Sequence, residues 1–164
     1  MKPVIKPAAL LLFSLFLLSS ANGQSLSSND LNKINNHTDE NNVSKLLLEK
    51  GFKFQSKQYD DITRATELRY YFQTNLSSGE NVTFSLIKSS DSKKVSTTMF
   101  FIHNLYHYKE LIDDLKKSKY KFEGLKIVDN KSYFLFTRNK MAFLTRETKD
   151  VNEQPMYEVV VESL

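Results

Sequence analysis

The sequence predicts an α+β fold: a unit of one helix followed by four antiparallel strands, duplicated, forming a large antiparallel sheet with the helices on one face. Two stretches carry that prediction. "KLLLEKGFKF" (Lys45 to Phe54) and "IDDLKKSKYKF" (Ile112 to Phe122) each pass from a helix ending, through a basic junction, into an alternating aromatic strand. Superposing "GFKF" on "KYKF" also brings the later runs into order. "YYFQ" falls beside "YFLF", "VTFSLI" beside "MAFLTRE", and "VSTTMFF" beside "MYEVVVE". The halves span about 43–102 and 103–164. Neither half can close a core alone, so two would pool their strands. Two look-alike α+β halves that arose independently are the competing reading.

The first 23 residues read as a leader rather than as fold. Lys2 and Lys6 precede an apolar run from Ala8 to Leu18, and Ala21-Asn22-Gly23 places small residues before Gln24, where cleavage is expected. That run is too short to span a bilayer, which needs about 20 residues. An exported protein, periplasmic or secreted, is therefore expected, with no membrane insertion after cleavage. There is no cysteine, which points to a bacterial envelope or secreted setting, since exported eukaryotic domains of this size commonly carry disulfides. Formal charge is +4; without Lys2 and Lys6, 21 basic residues face 19 acidic ones, a net +2. A charge so small makes a poor field for nucleic acid.

Residues 24–42 are rich in Asn and Ser, with Leu26, Leu31 and Ile34 as apolar anchors, and read as a flexible lead or a single short helix around Asp30 to Asn35. The single α+β domain is expected over 43–164. Asn41 or Asn42 can cap a helix through Lys50 that presents Val43, Leu46 and Leu47 on one side, and Gly51 suits its left-handed ending. Strand alternation follows. Phe52 and Phe54 oppose Lys53 and Gln55; Leu68, Tyr70 and Phe72 oppose Arg69, Tyr71 and Gln73; Val82, Phe84 and Leu86 oppose Thr83 and Ser85. In "VSTTMFF" the same reading puts Val95, Thr97, Met99 and Phe101 inward and Ser96 and Thr98 outward. One apolar and one polar face per strand suits an antiparallel sheet covered on one side.

The clearest helix runs from Leu105 to Ser118, with Asn104 as its cap and Leu105, Tyr108, Leu111, Ile112 and Leu115 on one face. Asp113 and Lys117 are spaced for an i, i+4 pair. Beyond it, "YKFEG", "KIV", "SYFLFT", "MAFLTRE" and "MYEVVVE" read as strands, with Tyr120 and Phe122 turned inward and Lys121 facing water.

Two resemblances follow from these runs. The lead, "LLLEKGFKF", the "YHYKELIDDLKKSKYKF" block and the leader together resemble small exported proteins of unknown function from Bacteroidetes, and no functional residue comes with that likeness. In layout only, the duplicated helix-plus-four-strand unit is similar to β-lactamase inhibitory proteins and TATA-binding proteins. Those inhibitors grip another protein with a concave sheet face, so the likeness implies a binding surface. They also carry disulfides that this chain lacks.

Few residues invite catalysis. His103 and His107 in "HNLYH" stand four apart, as zinc-binding histidines on a helix do, but Asn104 occupies the place of the glutamate base and His103 precedes the helix. Asp60 and Asp61 are paired carboxylates in a loop, where solvation is their ordinary role. There is no nucleophile elbow and no glycine-rich phosphate loop, and no cofactor is expected. The remaining candidate is the polar sheet face: Arg69, Tyr71, Gln73, Thr83, Ser85, Ser96 and Thr98, with Arg138 and Arg146 as further members. Tyr and Arg are favoured interface anchors, so the expectation is a non-enzymatic module that binds an envelope or extracellular protein there. A metal-dependent or carboxylate-based hydrolase near His103, His107, Asp60 and Asp61 is the alternative.

Overall fold

The computed structural model describes residues 25–37, 39–62, 64–76, 79–91 and 96–164. The leader expected over 1–23, its cleavage point at Gln24, and Val95 lie outside these residues. The strands are β1 (Lys53–Asp60), β2 (Ala65–Leu76), β3 (Gly79–Ser90), β4 (Ser96–Ile102), β5 (Lys121–Val128), β6 (Lys131–Arg138), β7 (Met141–Lys149) and β8 (Pro155–Ser163). They form one antiparallel sheet in the order β1-β2-β3-β4-β8-β7-β6-β5. Two four-strand meanders thus meet where β4 pairs with β8, with Phe100 opposite Val159 at the seam.

The duplication is visible in backbone detail. Helices α2 (Glu40–Glu49) and α3 (Leu105–Lys117) lead into β1 and β5. Each closes with the same paired bonds. Phe52 N–H donates to Leu47 O and Gly51 N–H to Leu48 O; Tyr120 N–H donates to Leu115 O and Lys119 N–H to Lys116 O. This double closure satisfies carbonyls that the last helical turn would leave bare, and it tucks Phe52 and Tyr120 under their helices. Both following strands then bulge at the same place, between Phe54 and Ser56 and between Phe122 and Gly124.

A third helix, α1 (Ser28–Asn36), occupies part of the Asn-rich stretch, so of the two forms expected there the short helix is the one observed. Ser27 and Asp30 form a reciprocal capping box at its start. Leu26, Leu31 and Ile34 are buried in the same core as Leu47, Leu115, Phe84 and Phe100. Ser28 N–H donates to Asp114 Oδ2 (2.6 Å), and Asp30 pairs with Lys50 at 3.0 Å. Three helices therefore roof one face.

Strand β4 corrects the expected phase. Thr98, Phe100 and Ile102 point under the helices, so Thr97, Met99 and Phe101 share the opposite face, which is helix-free among the described residues. Alternation defines a period of two but not which phase faces inward, and "TTMFFI" has apolar residues in both phases. Ile102, one residue beyond the run used, marks the phase that is buried. A second departure concerns Phe122. It shares the helix side with Phe136, its partner across β5–β6, yet it is 54% exposed. Asp113 also departs, pairing with Lys116 at 3.7 Å instead of Lys117.

Candidate functional site

Among the described residues, a groove of about 1260 Å³ lies on the helix-free face of the first half. Tyr71 and Gln73 of β2 and Thr83 and Ser85 of β3 form its floor. Their side chains reach this face because Leu68, Tyr70, Phe84 and Leu86, in the other phase, are drawn under the helices. A break in register between Phe72 and Gln73 adds a bend where the groove begins. Lys53 of β1 flanks it, with Nζ 5.9 Å from the centre of the Tyr71 ring and 3.3 Å from Gln73 Oε1.

The other wall is the β7–β8 connection, 150–154. Asp150 Oδ1 accepts from Asn152 N–H (2.8 Å) and Gln154 N–H (2.9 Å), and Asp150 N–H donates to Gln154 O, so the loop is held by its own bonds. His103 stands between floor and wall, its N–H bonded to Thr83 O at 3.0 Å. Burial holds its imidazole below the usual histidine range, and the Asp150 carboxylate acts in the opposite direction.

The expected site residues divide. Tyr71, Gln73 and Thr83 are brought together, and Ser85 joins them. Arg69 is beside the floor, but its guanidinium is engaged by Glu67 at 2.8 Å and it does not line the groove. Ser96 and Thr98 belong to the opposite side of the sheet. Thr98 is fully buried and donates to Asn35 Oδ1 (3.1 Å) beneath α1, so neither can meet a partner on the open face. Arg138 is likewise spent within the fold, donating to Ser118 O at 2.7 Å. Arg146 pairs with Glu158, which also accepts from Tyr133 OH at 2.9 Å, and the Arg146 guanidinium lies 5.4 Å from the centre of the Tyr133 ring. That network and the small cluster of Tyr133, Ala142 and Leu144 occupy the helix-free face of the second half. The open face is thus asymmetric: grooved in the first half, closed by its own side chains in the second.

The two histidines are separated by the sheet. His103 faces the groove, whereas the His107 ring packs 5.0 Å from Phe84 on the helix side and bonds Glu110 at 3.0 Å. They cannot converge on one ion. No group of three or more His, Asp and Glu side chains among the described residues could hold a metal. Asp60 turns back on its own loop, accepting from Ile62 N–H at 2.8 Å. Sequence reasoning missed the wall residues Asp150, Asn152 and Gln154, because a connection's position over a face depends on which strands neighbour each other. It also missed His103 as a groove residue. The signal was its parity with Phe101 once Ile102 is placed inward.

No protein-family model, curated protein or solved structure matches this chain.

Proposed function

We propose that the protein is a non-enzymatic binding module of the cell envelope or exterior, which receives a segment of another protein in the groove of its helix-free face. The carrying observation is the lining itself. A single phenol, Tyr71, stands among the amides and hydroxyls of Gln55, Gln73, Thr83, Ser85 and Asn152, with Val82, Val151, Pro155 and Met156 as the apolar part of the lining. Tyr supplies rigid contact area at low entropic cost, and amides and hydroxyls adapt their hydrogen bonds to a partner, the composition that binding loops favour. His103, Lys149 and Asp150 also line the groove; Asp150 is committed to its loop, and Lys149 pairs with Glu153 at 2.7 Å. The hydrolase reading draws no support from the histidines, which face different sides of the sheet.

Export is the setting in which such a module would work, and the leader is the sequence feature behind that part of the proposal. The test is affinity capture with the processed, tagged protein from its own envelope fraction, in parallel with Tyr71→Ala/Gln73→Ala. A protein retained by the parent and lost from the double variant, with unfolding midpoints that agree, is the expected result. An identical set of captured proteins removes the groove from consideration.

A further inference from the structure

At the far edge of the sheet the helix side is left uncovered. Phe122, Leu125 and Ile127 of β5 face that side with Phe134 of β6, as their pairing shows: Phe122 with Phe136, Leu125 with Phe134, Ile127 with Ser132. Phe136 is in the core, so residues in its phase point toward the helices, yet among the described residues no helix lies above the outer ones. They are 54%, 71%, 73% and 46% exposed for Phe122, Leu125, Ile127 and Phe134. The equivalent row on β1 is Phe54, Lys57 and Tyr59, so the duplication does not require this apolar character.

Charge gathers at the same edge. Between residues 116 and 140 there are eight basic and two acidic side chains, a net +6, in a chain whose total is +4. The remainder of the chain is therefore net negative, and the cation excess is local. Among the described residues no carboxylate lies within ion-pair distance of Lys117, Lys119, Lys126 or Lys131. Lys117 and Lys119, at the end of α3, stand at the start of the apolar row, whereas Lys126, opposite Tyr133, and Lys131, opposite Val128, point to the other face of the same edge.

We propose that this edge docks on an anionic phospholipid surface, with Phe122, Leu125, Ile127 and Phe134 entering the headgroup boundary and the lysines meeting the lipid phosphates. Apolar side chains beside unpaired cations are what an interfacial anchor combines, since neither burial nor charge alone holds a protein at a bilayer. Leu125 and Ile127 favour lipid over nucleic acid, because aliphatic side chains offer no stacking platform. Charge complementarity favours it over a second copy, which would bring the same cations face to face. The surface is distinct from the groove and does not depend on its function.

Flotation of the processed protein with vesicles tests this. Phosphatidylcholine vesicles are compared with vesicles containing phosphatidylglycerol, for the parent, for Leu125→Thr/Ile127→Thr and for Lys117→Gln/Lys119→Gln. All carry the same N-terminus, so a leader cannot create a difference between them. Binding is expected only to the anionic vesicles and should be lost near 1 M salt, where screening acts within about 3 Å. The lysine pair should weaken it roughly 25-fold, about fivefold for each charge. The Leu125/Ile127 pair should weaken it at least tenfold. Equal binding to both vesicle types, or equal binding by parent and variants, overturns the proposal. So does a dimer in solution that Leu125→Thr/Ile127→Thr converts to monomer without any vesicle binding, or an oligonucleotide affinity that this pair leaves intact. Should the apolar pair unfold the protein, the lysine pair and the two vesicle types still decide.

Discussion

Gly51 and Lys119 hold the same post in the two halves: each is the left-handed residue that ends a helix, with φ of +80° and +62°. The paired bonds described above are identical around them, yet one position carries the residue suited to positive φ and the other does not. A β-carbon at Gly51 would also stand 3.1 Å from Phe72 Cε2, whereas Lys119 carries its side chain into solvent.

Lys119→Gly should therefore stabilise the protein, by about 0.5–1 kcal/mol after the added freedom of the unfolded chain is counted. Gly51→Ala should destabilise it by about 1–2 kcal/mol from backbone strain, with the contact at Phe72 adding to that. Urea unfolding of both variants checks the pair. Destabilisation by Lys119→Gly, or no loss in Gly51→Ala, would mean that the left-handed backbone is not what sets the cost at these closures.

Lys88 gives a pH signature. It is 3% exposed on β3, under the end of α1, where Nζ donates to Asn35 O at 2.6 Å. Its charge suits the negative end of that helix, but burial lowers its pKa from 10.5 to about 8. Between those values the unfolded chain binds the proton more tightly than the folded one, so stability should rise as pH increases from about 8 to 10.5. The gain is of order 3 kcal/mol at most. Chemical denaturation across that range should show the rise in the parent relative to Lys88→Met. Parallel curves would place the lysine in water.

His103 should titrate below 6.5, because its burial between β4 and the 150–154 loop disfavours the cation. The unfolded chain then takes up a proton first, and this residue costs stability as pH falls below about 6.5 through its lowered value. Asp150→Asn keeps the acceptor that holds the loop and removes the charge that favours the imidazolium. The midpoint should move lower still. NMR titration of the imidazole protons reads both numbers, and a midpoint that ignores Asp150 would separate the loop from the groove.

The sequence alone determined what a few neighbouring residues decide. The helix endings at Gly51 and Lys119, the cap at Asn104 and the alternation in "LRYYFQT" depend on bonds and sterics within four or five positions. The repeat was legible because each half carries the same local patterns in the same order, while the strand order, with β4 beside β8, came from the tertiary structure. Only the tertiary structure decided the phase of β4, the burial of Leu31 and Ile34, the wall beside Tyr71 and the bare row on β5. Each of these depends on which surface another element covers. A strand with apolar residues in both phases, or a helix with few anchors, has no local preference strong enough to choose its side. Packing makes that choice by burying Thr98 against Asn35 and leaving Leu125 in the open.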